Sequence, residues 1–208
     1  MTSIKQNIKL AFTQNKWPII FSFLILICSI LLGYYLEAYL YDYLNPVVDA
    51  LVEQVQSGAL QITFHDIFLN NIKVVLLSFI LGIFCCISVL ILAFNGLFLG
   101  YYVGFRGDVL GTAVYIIPHG IFELSSCILA CASGIVLFKF LYTFFHTYYR
   151  QNGYVHGNRW KNAFDLSFDT FKQAVILLVI AAILMAIAGF IEAYLTIPIG
   201  DFLISVLR

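Results

Sequence analysis

Over residues 74–105 the chain carries no Asp, Glu, Lys or Arg, and charges nearly vanish again over residues 19–38, 124–138 and 174–191. About 20 apolar residues make a helix long enough to cross the roughly 30 Å hydrocarbon core of a bilayer. Within that core each backbone amide needs a partner, and a long continuous apolar run provides one only by coiling into a helix. The chain is 62% hydrophobic and 11% charged, where soluble domains carry about a quarter charged residues. The expected fold is therefore an all-α membrane bundle. Residues 1–208 are expected to form a single integral membrane domain, with no stretch left for a second, soluble one.

The expected spans are residues 18–41, 67–94, 95–117, 118–145 and 173–195. Pro18 and Pro118 suit the first positions of helices, because proline has no N–H to leave unpaired there. The third span is expected to be broken, since Arg106-Gly107-Asp108 divides two apolar pieces too short to cross alone, and Arg106 with Asp108 would pair locally. Interfacial amphipathic helices flank the spans. One is capped by Ser3 and sets Ile4, Ile8, Ala11 and Phe12 apart from Lys5, Lys9 and Lys16; another covers residues 46–56; a third follows the spacing of Trp160, Ala163, Phe164, Phe168 and Phe171. The run from Trp17 to Tyr41 is too long for the core of a cleavable signal.

The cations set the orientation. Arg150, Arg159, Lys161 and Lys172 should lie on the same side as Lys5, Lys9 and Lys16, and five crossings put them there. The expected arrangement is a multi-pass protein of the cell membrane, N-terminus in the cytoplasm and C-terminus outside. Zero net charge, with no basic face, excludes nucleic acid as a partner and leaves the lipid bilayer as the first one.

Ionisable groups inside such spans are costly and mark functional sites. His119 and Glu123 stand four residues apart on one helix face, and Glu37-Ala38-Tyr39-Leu40 is repeated as Glu192-Ala193-Tyr194-Leu195. With spans one and five running the same way, Glu37 and Glu192 approach the same outer boundary. His119, Glu123, Glu192 and Glu37 are thus the candidate ligands of a divalent metal such as zinc, or the members of a polar network that includes Asn71 and Asn95. Cys28, Cys85, Cys86, Cys127 and Cys131 lack metal-knuckle spacing and read as small apolar fillers, and His65, His146 and His156 read as solvent-facing. No His-Glu-x-x-His, Gly-x-Ser-x-Gly or phosphate-loop pattern is present, so catalysis has no local signature. Small residues four apart, Gly82 in the second span and Gly96, Gly100 and Gly104 in the third, favour close helix contact, within the chain or across a homodimer.

Phe68-Leu69-Asn70-Asn71, Gly82, Asn95-Gly96, Gly100, Pro118-His119-Gly120-Ile121-Phe122-Glu123-Leu124 and Ile191-Glu192-Ala193 together resemble the stage II sporulation protein M family, over most of the chain. The resemblance implies about five spans. It also implies a non-enzymatic scaffold or assembly role beside membrane or envelope proteins, which in spore formers are peptidoglycan-degrading partners. Against this stands an active membrane site, a metal-dependent hydrolase or a small-solute or ion conduit, built on His119, Glu123, Glu192 and Glu37.

Overall fold

The computed structural model describes residues 4–58, 63–150 and 159–207, and all their regular structure is helical. Helix α1 (Ile4–Gln14) precedes α2 (Lys16–Tyr35), α3 (Glu37–Gln56) and α4 (Phe64–Ile80). A 3₁₀ turn, Leu81–Phe84, leads to α5 (Cys86–Arg106), followed by α6 (Val109–Arg150), α7 (Arg159–Tyr194) and α8 (Thr196–Leu207). Five segments are long and apolar enough to cross a membrane: Lys16–Tyr35, Phe64–Phe84, Cys86–Arg106, Val109–Arg150 and Arg159–Tyr194. The fold is the expected all-α membrane bundle of five spans.

The boundaries differ from the expected ones, for local reasons. The apolar run from 67 to 94 belongs to two spans joined as a hairpin, residues 67–84 to the second and residues 86–94 to the start of the third. It reverses at Cys85, whose φ of 42° is a left-handed conformation rarely adopted by a side-chain-bearing residue. The reversal brings the Ser88 hydroxyl onto the Ser78 carbonyl. Arg106-Gly107-Asp108 accordingly breaks no span. Arg106 ends α5, Gly107 turns the chain at φ +67°, and Asp108 caps α6 by accepting from the Gly111 amide at 2.9 Å. The expected Arg106–Asp108 ion pair does not form among the described residues, where the carboxylate is engaged as a cap. Thr63 starts α4 in the same manner, its hydroxyl accepting from the Asp66 amide at 3.3 Å.

Pro118 begins no helix and lies inside α6. Helices α6 and α7, of 42 and 36 residues, are about 63 and 54 Å long at 1.5 Å per residue, well beyond one bilayer. Their surplus forms an antiparallel extension in which Phe140, Phe144, Trp160 and Phe171 pack ring on ring, Phe144 and Trp160 at 4.7 Å. The segment expected as a separate surface helix over Trp160–Phe171 is therefore the first part of α7. The Ser3 cap expected for α1 lies outside the described residues; α1 itself docks on α7, with the Asn15 amide donating to Gln173 Oε1 at 2.7 Å.

Small residues set the helix directions. An added Cβ at Gly33 would meet Leu97 and Tyr101, at Gly96 Leu26 and Ser29, and at Gly100 Ile30, so α2 and α5 run parallel and in backbone contact. Gly82 meets Gly134 in the same way, which holds α4 parallel to α6. Bilayers supply no hydrophobic drive between helices, and close backbone approach with buried hydroxyls replaces it. Ser126 adds such a bond, donating to the Ala181 carbonyl at 2.7 Å between α6 and the antiparallel α7. The glycines at 96, 100 and 104 are thereby used within the chain. Helix α3 starts nine residues before the expected Pro46, turns at Leu36 and folds back along α5, with Tyr41 against Phe105.

Candidate functional site

His119 and Glu123 stand one turn apart on α6, immediately after Pro118, and Glu192 lies near the end of the antiparallel α7. A ligand atom from each lies within 4.8 Å of the other two, and all three side chains are half-buried. A tetrahedral shell with bonds of about 2.0–2.1 Å sets its ligand atoms roughly 3.3 Å apart, so closing around zinc takes at most about 1.5 Å per pair. Side-chain rotation covers that distance.

The imidazole is held from behind. Thr196, the first residue of α8, donates its hydroxyl to the Ile191 carbonyl at 3.2 Å, and its oxygen lies 3.1 Å from His119 Nδ1. With that hydroxyl proton committed, the oxygen accepts from Nδ1–H, and the lone pair is left on Nε2. A partner on one ring nitrogen that fixes the other as the donor of electrons is the usual support of a histidine ligand. Four residues earlier on α6, Tyr115 donates to Asp201 at 2.8 Å, a second tie between α6 and α8. Thr196 is not among the residues expected from the sequence to form the site. Its signal was its place four residues after Glu192, one helical turn along, just before Pro198.

Of the four expected ligands, three meet. Glu37 does not join them: it begins α3, and its Cβ and Cγ pack where a Cβ on Gly104 would stand. Glu37 and Glu192 do share one end of the bundle, because α2, α5 and α7 run the same way. Asn95 lines the same cavity as the three ligands, its amide donating to the Ile91 carbonyl at 2.8 Å, whereas Asn71 is half-buried on α4 and does not line it. Cys127 forms part of the wall and, like Cys131, stays outside the ligand cluster. His65 is exposed, His146 stacks on Tyr142 at 5.8 Å, and His156 lies outside the described residues.

The cavity measures about 690 Å³ and is bounded by α3, α5, α6 and α7. Asn95, in the wall of the cavity, is one residue from the midpoint of α5, whereas Glu192 is two residues from the end of α7, so the cavity extends from mid-span toward one end of the bundle.

Such a structure defines a multi-pass α-helical membrane protein with a His–Glu–Glu cluster between two of its long helices. Residues 22–197 match the family description of stage II sporulation protein M. The chain belongs to that family. It is 26% identical to an uncharacterized protein of Methanocaldococcus jannaschii, over 92% of this chain and 87% of the relative. A second uncharacterized protein of the same archaeon is 32% identical over 70% of this chain and 78% of its own length. No solved structure matches the chain.

Proposed function

We propose that this protein is a cell-membrane component carrying a divalent metal site of the zinc type, with His119, Glu123 and Glu192 as ligands and the fourth position open to the cavity. The observation that carries the reading is the convergence of those three side chains, from two helices, within 4.8 Å in the wall of a cavity of about 690 Å³. Three protein ligands with one open position is the pattern of catalytic zinc sites, whereas structural sites are closed by four. A bound metal there would polarise a carbonyl or activate water, so metal-dependent hydrolysis is the chemistry that fits. The N-terminus lies in the cytoplasm and the C-terminus outside, on the strength of the Lys/Arg distribution. The site then belongs to the outer half of the membrane.

A purified sample, analysed for metal by mass spectrometry, should hold close to one equivalent of zinc per chain, and His119→Ala, Glu123→Ala and Glu192→Ala should each lose it. Stoichiometry indifferent to these substitutions refutes the site. The assembly role in the family's spore formers remains the second reading, favoured by one feature: α6 and α7 extend past the bundle as an aromatic hairpin with Trp160 and Phe164 half-exposed. As a scaffold the protein would dock membrane or envelope partners, or a second copy of itself, there, and would work without metal.

A further inference from the structure

The cavity is much larger than an ion needs. Liquid water occupies about 30 Å³ per molecule, so a metal's open position uses a small part of the 690 Å³, which falls within the roughly 300–1,000 Å³ of pockets for organic ligands. Val48, Leu51 and Val52 of α3, Phe98 and Leu99 of α5 and Leu124 of α6 give it a largely apolar wall, interrupted by the uncharged Gln56, Asn95 and Tyr102, and the His–Glu–Glu cluster lines the same cavity.

Charge then selects the ligand. Among the described residues no Lys or Arg lines the cavity. Two carboxylates, one divalent cation and a neutral imidazole sum to zero. An anionic headgroup would add an unpaired charge in an apolar space, which is strongly disfavoured. A cationic headgroup would compete with the metal for the carboxylates. What fits is an uncharged headgroup whose carbonyl oxygen can take the open metal position. From these observations we infer that the cavity binds an uncharged single-chain amphiphile, an acyl ester or amide, with its chain in the α3–α5 slot and its carbonyl at His119, Glu123 and Glu192. The carbonyl anchor and the uncharged headgroup rest on the metal reading above; the apolar slot does not.

The test uses the full chain in nanodiscs with 1-decanoylglycerol bearing a diazirine at the chain end. After photolysis, adducts are mapped by peptide mass spectrometry, and metal is measured on the same sample. Adducts are expected on residues 48–56 or 95–102. They should fall at least ten-fold in Val52→Trp and in Leu51→Trp, both on the peripheral α3, with zinc retained. Unlabelled 1-decanoylglycerol should compete at least ten-fold better than decyl phosphate or decyltrimethylammonium. Adducts unchanged in both tryptophan variants, or confined to outward-facing positions such as the exposed Leu90 and Phe94, overturn the inference. Equal competition by decyl phosphate overturns the uncharged headgroup. Zinc bound without a cavity adduct sinks the amphiphile and spares the metal site, whereas a cavity adduct on a parent protein that binds no zinc removes the carbonyl anchor and the metal reading together.

Discussion

Glu123→Gln separates a metal centre from a plain polar network by reversing sign with conditions. The carboxylates of Glu123 and Glu192 have oxygens within 4.8 Å of each other. Two unit charges at that separation repel by about 3.5 kcal/mol at an effective dielectric near 20, and any proton taken up to avoid the repulsion lowers the figure. Without metal, neutralising Glu123 with an amide of the same shape should therefore stabilise the protein, by up to about 3 kcal/mol. With metal, the same change removes a ligand. A site saturated at 100 times its dissociation constant stabilises the parent by about 2.7 kcal/mol, and the variant forfeits most of that. The assay is thermal unfolding followed by tryptophan fluorescence, in chelator and again in excess zinc. The expected result is a crossing: the variant melts above the parent in chelator and below it in zinc, by several degrees each way. Parallel curves, with the variant below the parent in both conditions or indistinguishable in both, would refute the account of two carboxylates awaiting a cation.

Thr196→Val should lower zinc affinity by about 10–100-fold while leaving the fold intact, and Thr196→Ser should restore it, as isothermal titration on the purified variants would show. A cysteine at Lys161, in a background without the native cysteines, should label from outside only after cells are permeabilised, while one at the exposed Tyr39 should label in intact cells; the opposite pattern reverses the orientation. Gly100→Ala forces a methyl onto the Ile30 carbonyl and should cost about 1–3 kcal/mol, seen as a lower melting temperature. Gly107→Ala meets nothing within 4 Å and should cost only its backbone strain, about 1–2 kcal/mol. Zinc loading should fall on acidification, because every ligand must give up its proton to bind, and equilibrium dialysis across pH 8 to 5 would measure the decline.

What the sequence disclosed was whatever depends on composition and on spacing along one helix. Charge-free runs gave the class and the number of spans, and the four-residue step gave the pairing of His119 with Glu123. Boundaries were harder, because membrane helices are bounded by turns whose residues look apolar. Cys85 is such a case: nothing in Ile83-Phe84-Cys85-Cys86 marks a reversal, although the 28 residues from 67 to 94 would make a helix of about 42 Å, too long for one crossing. Pro118 misled in the other direction, since proline is at home both at the start of a helix and inside a membrane helix whose neighbours satisfy the freed carbonyl. The two Glu-Ala-Tyr-Leu copies show the limit of local reading. They are identical, yet the break at Leu36 turns Glu37 against Gly104, while α7 continues unbroken through Glu192 and delivers it to His119.

That difference explains why the cluster has three members and where they sit. The bundle is held by backbone contacts at Gly33, Gly82, Gly96 and Gly100, rigid interfaces with no space for a ligand. Space remains where α6 carries a proline and α7 is about to end, and there the packing is polar: Glu123 on α6, Glu192 on α7, and Thr196 on α8 behind His119. Helix α8 meets α6 through the Thr196–His119 and Tyr115–Asp201 contacts and through Gly200 packed on the Tyr115 ring, so side chains of the site form part of its attachment. Two carboxylates at this depth would be a poor way to hold helices together, because their mutual repulsion works against the contact they make. A cation between them would turn that repulsion into attraction, which is the outcome the zinc-dependent melting of Glu123→Gln is designed to read.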